Sequence, residues 1–212
     1  MAQITFRPCT PDDLEQAVPL IYSAGPVAFD IAFNDTHVTQ SKAFLQAAFV
    51  RSGGEFSYDQ HLAIIRDDKL VGLGGIKTAK QTPSFTLQAA LSIFSFYSLT
   101  SAVRTIIRGL KVESILKPPK KHIAMIHNLA VTSDFRGEGL GTQLIAQLER
   151  KMKEDGYKVA ALDVDGDNPR AKALYQKLGY QVIEKRACLL KGRLTQPFEM
   201  RSFYMEKKLT DS

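Results

Sequence analysis

The chain has 212 residues, 44% of them hydrophobic and 24% charged, which suits one globular domain with a sizeable core. Its net charge of +6 arises from Lys and Arg that are mostly interspersed with Asp and Glu, a distribution that argues against a nucleic-acid partner. Two cysteines are too few for a disulfide scaffold, and the lack of 18 uninterrupted apolar residues argues against a membrane-spanning helix.

The N-terminal segment does not show the charged and then apolar layout of a signal peptide, so we expect a cytoplasmic protein. No linker, low-complexity tract or internal repeat divides the sequence, which predicts a single domain over residues 1–212. Cys9 and Cys188 are expected to be small buried residues rather than catalytic nucleophiles.

Hydrophobic periodicity predicts strands that alternate with helices, and therefore an α/β fold with a mixed sheet. The predicted strands are Ile4–Arg7, His61–Arg66, Lys69–Gly75, His122–Val131, Val159–Val164, Tyr180–Leu190 and Met200–Lys208. The predicted helices are one that begins after Thr10 and continues through Leu14, Val18 and Ile21, then Gln40–Val50, Leu140–Glu154 and Asn168–Leu178.

Residues 80–121 look like a helical insertion before the central strand. They contain a long apolar-rich stretch that ends at Pro118 and Pro119, which predicts two short helices or one kinked helix. An extra core layer or a homodimer patch is the favoured interpretation, and the wall or lid of a binding pocket is the functional one. A membrane-surface helix is less favoured, because the cationic residues do not line one clear face.

Residues 134–141 are the most informative stretch of the sequence. They read Asp-Phe-Arg-Gly-Glu-Gly-Leu-Gly and lie between a predicted strand and a predicted helix. The first amides of a helix lack partners within the helix, and glycines let a phosphate approach them closely. The spacing fits neither a P-loop nor a dinucleotide-binding fingerprint, which argues against those two enzyme classes. A tight turn alone is the structural alternative to a phosphate site.

A second motif lies at residues 168–180, which read Asn-Pro-Arg-Ala-Lys-Ala-Leu-Tyr-Gln-Lys-Leu-Gly-Tyr. Together with residues 126–141, it resembles the core of the GNAT superfamily of N-acetyltransferases. The order and the spacing of the strand, the Arg-x-x-Gly-x-Gly turn, the Asn-x-x-Ala-x-x-x-Tyr helix and the Gly-Tyr turn all match. The resemblance is weaker over residues 3–78 and 181–209, and residues 80–121 carry no family motif.

The resemblance implies a mostly antiparallel central sheet with a splay between two parallel central strands, here Ile123–Val131 and Val159–Val164. It also implies acetyl-CoA as the acyl donor, with no metal, and direct transfer of the acetyl group to an amine without an acyl-enzyme. The expected acetyl-CoA-binding residues are Leu129, Ala130, Val131, Arg136, Gly137, Glu138, Gly139, Leu140, Gly141, Thr142, Asn168, Ala171 and Tyr175. Asn168 has a second interpretation, as the cap of the predicted helix, and the two roles are compatible.

Two catalytic roles follow from the same resemblance. Tyr175 corresponds to the family's general acid, and a core tyrosine is the structural alternative. His127 is the candidate general base because its pKa range is suitable, and the alternatives are a buried structural histidine and water-mediated loss of the proton. Period-two alternation is expected to place His127 on one face with Met125 and Leu129. Asn128 occupies a position where some members carry a glutamate, and an amide cannot serve as a base.

The expected function is therefore transfer of an acetyl group from acetyl-CoA to a primary amine, in the first place that of a small molecule. A protein N-terminus or lysine is the alternative acceptor. A non-catalytic acyl-CoA sensor on the same fold is the alternative of another class, since a fold does not by itself fix a function.

Overall fold

The computed structural model describes residues 3–209, which contain seven strands and seven α-helices. The strands are β1 (Ile4–Pro8), β2 (His61–Arg66), β3 (Lys69–Thr78), β4 (Ile123–Val131), β5 (Val159–Asp165), β6 (Gln181–Leu190) and β7 (Phe198–Lys208). The helices are α1 (Leu14–Ser23), α2 (Pro26–Phe33), α3 (Gln40–Phe49), α4 (Thr82–Phe96), α5 (Leu99–Glu113), α6 (Leu140–Glu154) and α7 (Pro169–Lys177).

All seven strands belong to one sheet with the order β1-β2-β3-β4-β5-β7-β6. Only β4 and β5 pair in parallel, and the other neighbouring strands of this sheet are antiparallel. A parallel pair needs a crossover connection, and α6 supplies it between β4 and β5. The sheet confirms the predicted α/β fold with a mostly antiparallel sheet and a central parallel pair.

The β2–β3 hairpin turns where the sequence predicts it. Asp67 and Asp68 both have positive φ, 48° and 63°. Two consecutive left-handed residues match the twist of the flanking strands, and Asp tolerates this conformation better than most residues. The second strand of the hairpin extends to Thr78, three residues beyond the predicted Gly75.

Two hydrophobic cores lie on opposite faces of the sheet. On the first, which we call the α6 face, α6 packs through Leu140, Leu144 and Leu148 against Ile126 of β4. On the second, which we call the α5 face, the five helices α1 to α5 share one core that includes Phe44 of α3. The split between β4 and β5, described below, lies between these two faces.

The segment that was expected to be an insertion forms α4 and α5, each of 15 residues. Helix α4 packs against α3, and α5 packs against α2 and α4. Their outer faces carry large apolar side chains that are between 47% and 71% exposed. These are Leu87, Leu91, Phe94, Leu99, Val103, Ile107 and Leu110. The homodimer interpretation of this patch stays a prediction.

Ion pairs of Asp35 connect α5 to neighbouring segments of the α5 face. Its fully buried carboxylate forms ion pairs with Arg104 at 2.7 Å, with Arg108 at 3.0 Å and with Arg193 at 3.3 Å. The hydrogen bonds from Arg104, which are the largest cause, and those from Ser101 and Arg108 hold the pKa of the Asp35 carboxyl below its ordinary value. The network joins the α2–α3 connection, α5 and the β6–β7 loop.

Two sequence expectations fail. Helix α2 was not predicted, because eight mostly apolar residues show little of the polar alternation that marks an amphipathic helix. Cys188 is exposed rather than buried, because it lies on β6, the edge strand of the sheet, whereas Cys9 is buried as expected. Within residues 3–209, no helix is long and apolar enough to cross a membrane.

Candidate active site

The parallel pair β4–β5 separates half-way along its length. Pairing runs from Ile123 opposite Val159 to Ile126 opposite Leu162, and it stops there. Beyond that point, β4 pairs only with β3 and β5 pairs only with β7. The edge of β4 that faces β5 therefore carries backbone groups over residues 127–131 that pair with no neighbouring strand, and an extended ligand could pair with them as an added strand.

A β-bulge in β4 lies directly at this opening. Asn128 has a positive φ of 51°, and the β3–β4 register shifts between Leu73 and Gly75. The bulge shifts the alternation of side chains along β4. Leu129 consequently lies on the α6 face, where it approaches the position that a Cβ on Gly74 would occupy and packs into the core of α6. The expectation that Leu129 shares a face with His127 and Met125 is therefore wrong.

The glycine-rich turn forms an open cradle of backbone amides. Gly137 and Gly139 have φ values of 92° and 80°, and a Cβ built on either would meet nothing within 4 Å. The first backbone hydrogen bond of α6 is donated by Gln143 to the carbonyl of Gly139 at 3.0 Å. The amides of Leu140, Gly141 and Thr142 come before this first donor and have no acceptor within the helix, so together with the helix dipole they favour an anion.

Side chains around the cradle fix its outer edge. Arg66 of β2 forms an ion pair with Glu138 and lies over the ring of Phe135, 4.4 Å from its centroid. Arg136 is exposed, and its Nε approaches the carbonyl of Val131 at 3.4 Å. The guanidinium of Arg136 thus projects from the turn, where a phosphorylated ligand could reach it.

Helix α7 positions Tyr175 on the α6 face of the opening. Asn168 caps this helix, since its Oδ1 accepts a hydrogen bond from the amide of Ala171 at 3.0 Å. Tyr175 is buried in the same core as Ile126, and its ring makes an edge contact with Tyr180. Burial raises the pKa of Tyr175 to about 12, so its phenol stays protonated at neutral pH. The capping interpretation of Asn168 is confirmed.

His127 lies on the opposite face, beside a second histidine that sequence reasoning missed. His61 pairs with Gly75, Gly75 pairs with His127, and the two imidazole centroids are 5.5 Å apart. Gly75 is required here, because a Cβ would come within 2.6 Å of Nε2 of His127. His61 Nδ1 lies 2.8 Å from the Ser57 carbonyl, and Asn128 Nδ2 lies 3.1 Å from the other ring nitrogen. Ser57 therefore fixes the tautomer in which Nδ1 carries the proton.

Both histidines are uncharged at neutral pH. Burial lowers the pKa of His61 to about 4. Burial also places the pKa of His127 well below its ordinary value, and His61 and Lys77 lower it further. Within residues 3–209, neither ring nitrogen of His127 has a hydrogen-bond partner, although both are buried. A buried nitrogen without a partner carries a free energy cost, which a ligand or a water molecule in the site would remove.

A cavity of about 360 Å³ opens on the α5 face and includes His127 and Asn128 in its wall. That volume lies within the usual range for small-molecule sites. Asp163 of β5 also lines the cavity, and burial raises the pKa of its carboxyl to about 6. Neither His61 nor Asp163 carries a motif in the sequence, so only the folded sheet reveals their place beside the opening. The cavity thus reaches the start of the split, and the amide cradle follows the C-terminal end of β4.

Comparison with known proteins identifies the family. Residues 29–180 match the model of the acetyltransferase (GNAT) family, which is well over half of the chain. The chain belongs to the GNAT acetyltransferase family. The split of β4 from β5, the cradle before α6 and the cap of α7 all lie within the matched residues of this GNAT chain.

Curated GNAT relatives match part of the chain. An acetyltransferase of Sodalis glossinidius is 33% identical over 93 residues, which are 44% of this chain and 65% of that protein. The matches to two further relatives span 29% and 60% of those proteins' lengths. The chain thus covers less than two thirds of these relatives.

Solved GNAT structures share the fold over nearly the whole chain. An N-acetyltransferase from Staphylococcus aureus Mu50 has a TM-score of 0.68 at 16% identity and covers 95% of this chain and 99% of its own. The PaiA N-acetyltransferase from Thermoplasma acidophilum, solved in complex with coenzyme A, has a TM-score of 0.53 at 17% identity, with coverages of 97% and 99%.

Proposed function

We propose that this protein transfers an acetyl group from acetyl-CoA to a primary amine of a small molecule. The observation that carries the proposal is the split in the sheet. It begins at His127, which lies in the wall of the cavity, and β4 continues from there to the turn that forms the cradle. Acetyl-CoA, when bound, supplies an activated thioester that an amine can attack directly.

Backbone groups account for most of the proposed donor binding. The amides of residues 137–142 and the guanidinium of Arg136 bind the pyrophosphate, because they present unpaired donors at a helix N-terminus. Leu129, Ala130 and Val131 pair with the pantetheine arm through the free edge of β4. Asn168 and Ala171 border the same arm at the start of α7.

Tyr175 and His127 carry the proposed proton transfers from opposite faces of the split. Tyr175 donates a proton to the leaving thiolate. Its raised pKa keeps the phenol protonated, and therefore able to donate, at neutral pH. His127 accepts the proton of the incoming ammonium, because its neutral ring offers a free nitrogen lone pair.

The shape of the acceptor side favours a small molecule over a protein chain. Helices α4 and α5 form part of the cavity wall, in which Ile93 and Ile106 lie. A protein N-terminus would need an open groove at this place. A sensor without turnover is the remaining alternative, and it predicts binding of acetyl-CoA without amine-dependent release of CoA. The cytoplasmic location stays a prediction.

Release of CoA from acetyl-CoA, measured over a panel of amines, tests the proposal. We expect release with at least one class of small amine and a large loss of acetyl-CoA affinity in Arg136→Ala. Binding of acetyl-CoA no tighter than millimolar, together with an unchanged Arg136→Ala variant, would exclude the proposed donor site.

A further inference from the structure

Two polar side chains face each other across the mouth of the split. In the parallel register, Ile126 is the last residue of β4 to pair and Leu162 is its partner, so His127 and Asp163 are the next residues of the two strands. Met125 and Ala161, two residues earlier, pack in one cluster on the α5 face. Side chains alternate along a strand, and both His127 and Asp163 line the cavity on that face.

The Asp163 carboxylate is held at one oxygen and free at the other. Oδ1 accepts hydrogen bonds from Arg186 at 3.3 Å and from Ser202 at 3.2 Å. Among residues 3–209, no side chain or amide donates to Oδ2. The side chain of Asp163 is only 11% exposed, so a charged ligand group at Oδ2 would be largely shielded from water.

The cations near Asp163 already have carboxylate partners, whereas Glu113 and Asp165, which also line the cavity, are further carboxylates and supply no positive charge. Arg186 also donates to Glu184 at 2.8 Å, so its charge is shared between two carboxylates. Lys77 is paired with Glu55 at 2.8 Å, and the Lys117 ammonium is paired with Glu184 at 3.1 Å. His127 is neutral, as described above. A cation is therefore the ligand group that complements the free oxygen of Asp163.

The rest of the cavity wall is mainly apolar. It is formed by aromatic and aliphatic side chains of α2, α4 and α5, of the segment before β2 and of β7. These include Phe29, Phe33, Phe56, Ile93, Ile106 and Phe198. The carboxylate at the split thus lies next to a hydrophobic compartment on the α5 face.

We propose that Asp163 binds the ammonium group of the acceptor, and that the acceptor is a monoamine whose apolar body lies against the wall of α2, α4 and α5. This inference rests on the proposed acetyl transfer, because it places the nitrogen of the acceptor beside His127 at the mouth of the split. A hydrogen bond to a charged group contributes enough free energy to discriminate an amine from its neutral analogue by about 10-fold or more.

The test compares 2-phenylethylamine with neutral 2-phenylethanol as ligands of the CoA-saturated protein, by calorimetric titration at pH 7.5. We expect the wild type to bind the amine at least about 10-fold more tightly than the alcohol. Asp163→Asn, which keeps the side-chain shape and removes the charge, loses this preference. Asp155→Asn, which removes an exposed carboxylate at the end of α6, keeps it.

A second measurement uses the wild type alone and does not depend on the folding of a variant. Burial raises the pKa of Asp163 to about 6, so the carboxyl is charged at pH 7.5 and mostly protonated at pH 5. The preference for the amine over the alcohol should therefore disappear as the pH falls through about 6, while binding of the alcohol changes little.

An equal affinity of the wild type for the amine and the alcohol would overturn the inference, and so would a preference that survives in Asp163→Asn. Tighter binding of spermidine than of 2-phenylethylamine would overturn the claim that the acceptor is a monoamine with an apolar body. Failure of the acetyl transfer itself would look different: the amine would bind through Asp163, but no amine would release CoA from acetyl-CoA.

Discussion

The two sides of the split are built from different kinds of groups. On the α6 face, the cradle consists of backbone amides, two glycines with positive φ and a helix start, all within residues 136–142. On the α5 face, the cavity is formed by side chains from five or more elements that are far apart in the sequence. A site made of one local backbone segment is specified by a short motif, whereas a site made by packing is specified only by the whole fold.

Because of this contrast, the two sides of the split determine different ligands: the α6 face determines the donor and the α5 face determines the acceptor. The cradle would suit any ligand that carries a pyrophosphate, and therefore a donor common to many enzymes. The cavity presents a particular volume, an apolar wall and the carboxylate of Asp163, and therefore a particular acceptor. Changes on the α6 face should affect donor binding and chemistry, and changes on the α5 face should affect the acceptor and the stability of its wall.

The largest expected effect is that of Tyr175→Phe. Loss of a general acid lowers turnover by about 100-fold or more, while the affinity for acetyl-CoA stays nearly unchanged, because the ring and its packing remain. Steady-state kinetics and calorimetric titration separate the two quantities. Tyr180→Phe is the matched control: it removes a buried hydrogen bond to Glu149 at 2.9 Å and should leave turnover unchanged. Equal turnover of Tyr175→Phe and the wild type at every pH would remove Tyr175 from the mechanism.

Asp35→Ala tests the α5 face and has the largest expected effect on stability. Removal of the carboxylate leaves three arginines without their shared partner, which should lower the free energy of unfolding by about 3–5 kcal/mol. Urea denaturation measures this loss. Asp134→Ala, at an exposed position, should change stability by less than about 0.5 kcal/mol. A folded Asp35→Ala protein as stable as the wild type would show that the network does not hold the wall.

The same carboxylate predicts a direction of pH dependence. The folded-state pKa of Asp35 lies below its ordinary value, so the folded state binds fewer protons than the unfolded chain in acid. The contribution of Asp35 to stability is therefore complete above the ordinary carboxyl pKa of about 4 and is lost as the pH falls through the lower folded-state pKa. Asp35→Asn should flatten the loss of stability in acid.

Gly139→Ala tests the cradle with a smaller expected effect. A left-handed conformation costs a residue with a Cβ about 1–2 kcal/mol. The free turn of the variant should relieve this strain by leaving the conformation that presents the amides, so acetyl-CoA should bind roughly 5- to 30-fold more weakly. Gly109→Ala is the control: a Cβ meets nothing within 4 Å at either position, but Gly109 lies within α5 without a positive φ, so this change should leave acetyl-CoA affinity unchanged. An unchanged affinity of Gly139→Ala, measured by titration, would contradict the assignment of the cradle.

The smallest expected effect is that of Asn168→Ala at the start of α7. Loss of the cap should lower the free energy of unfolding by about 1 kcal/mol, and Asn168→Asp, which keeps an acceptor oxygen, should retain most of it. Thermal unfolding of the three proteins checks this order. If the alanine variant had the same melting temperature as the wild type, the cap would not stabilise the helix.

The α6 face, which carries both motifs, is predicted well from the sequence because its features are local in the chain. Helix α6, the hairpin turn at Asp67 and Asp68, and the cap at Asn168 all depend on nearest neighbours along the chain. The split of the parallel pair is implied by the family resemblance that these motifs carry. The assignments of Tyr175 and His127 as acid and base stay predictions.

The remaining features depend on contacts between distant segments. The bulge at Asn128 moves Leu129 to the other face of the sheet, and no sequence pattern in β4 predicts this bulge. His61 reaches His127 across Gly75 of an intervening strand, and Asp163 becomes part of the site only because pairing ends one residue before it. Period-two alternation cannot reveal either arrangement.

The most direct test of the account is the rate at which CoA is released from acetyl-CoA with and without 2-phenylethylamine. The account predicts release that depends on the amine, saturates with it and is lost in Tyr175→Phe. Release that is absent with this amine and with every other class of small amine, although acetyl-CoA raises the melting temperature, would contradict the claim that the split joins a donor site to an acceptor site.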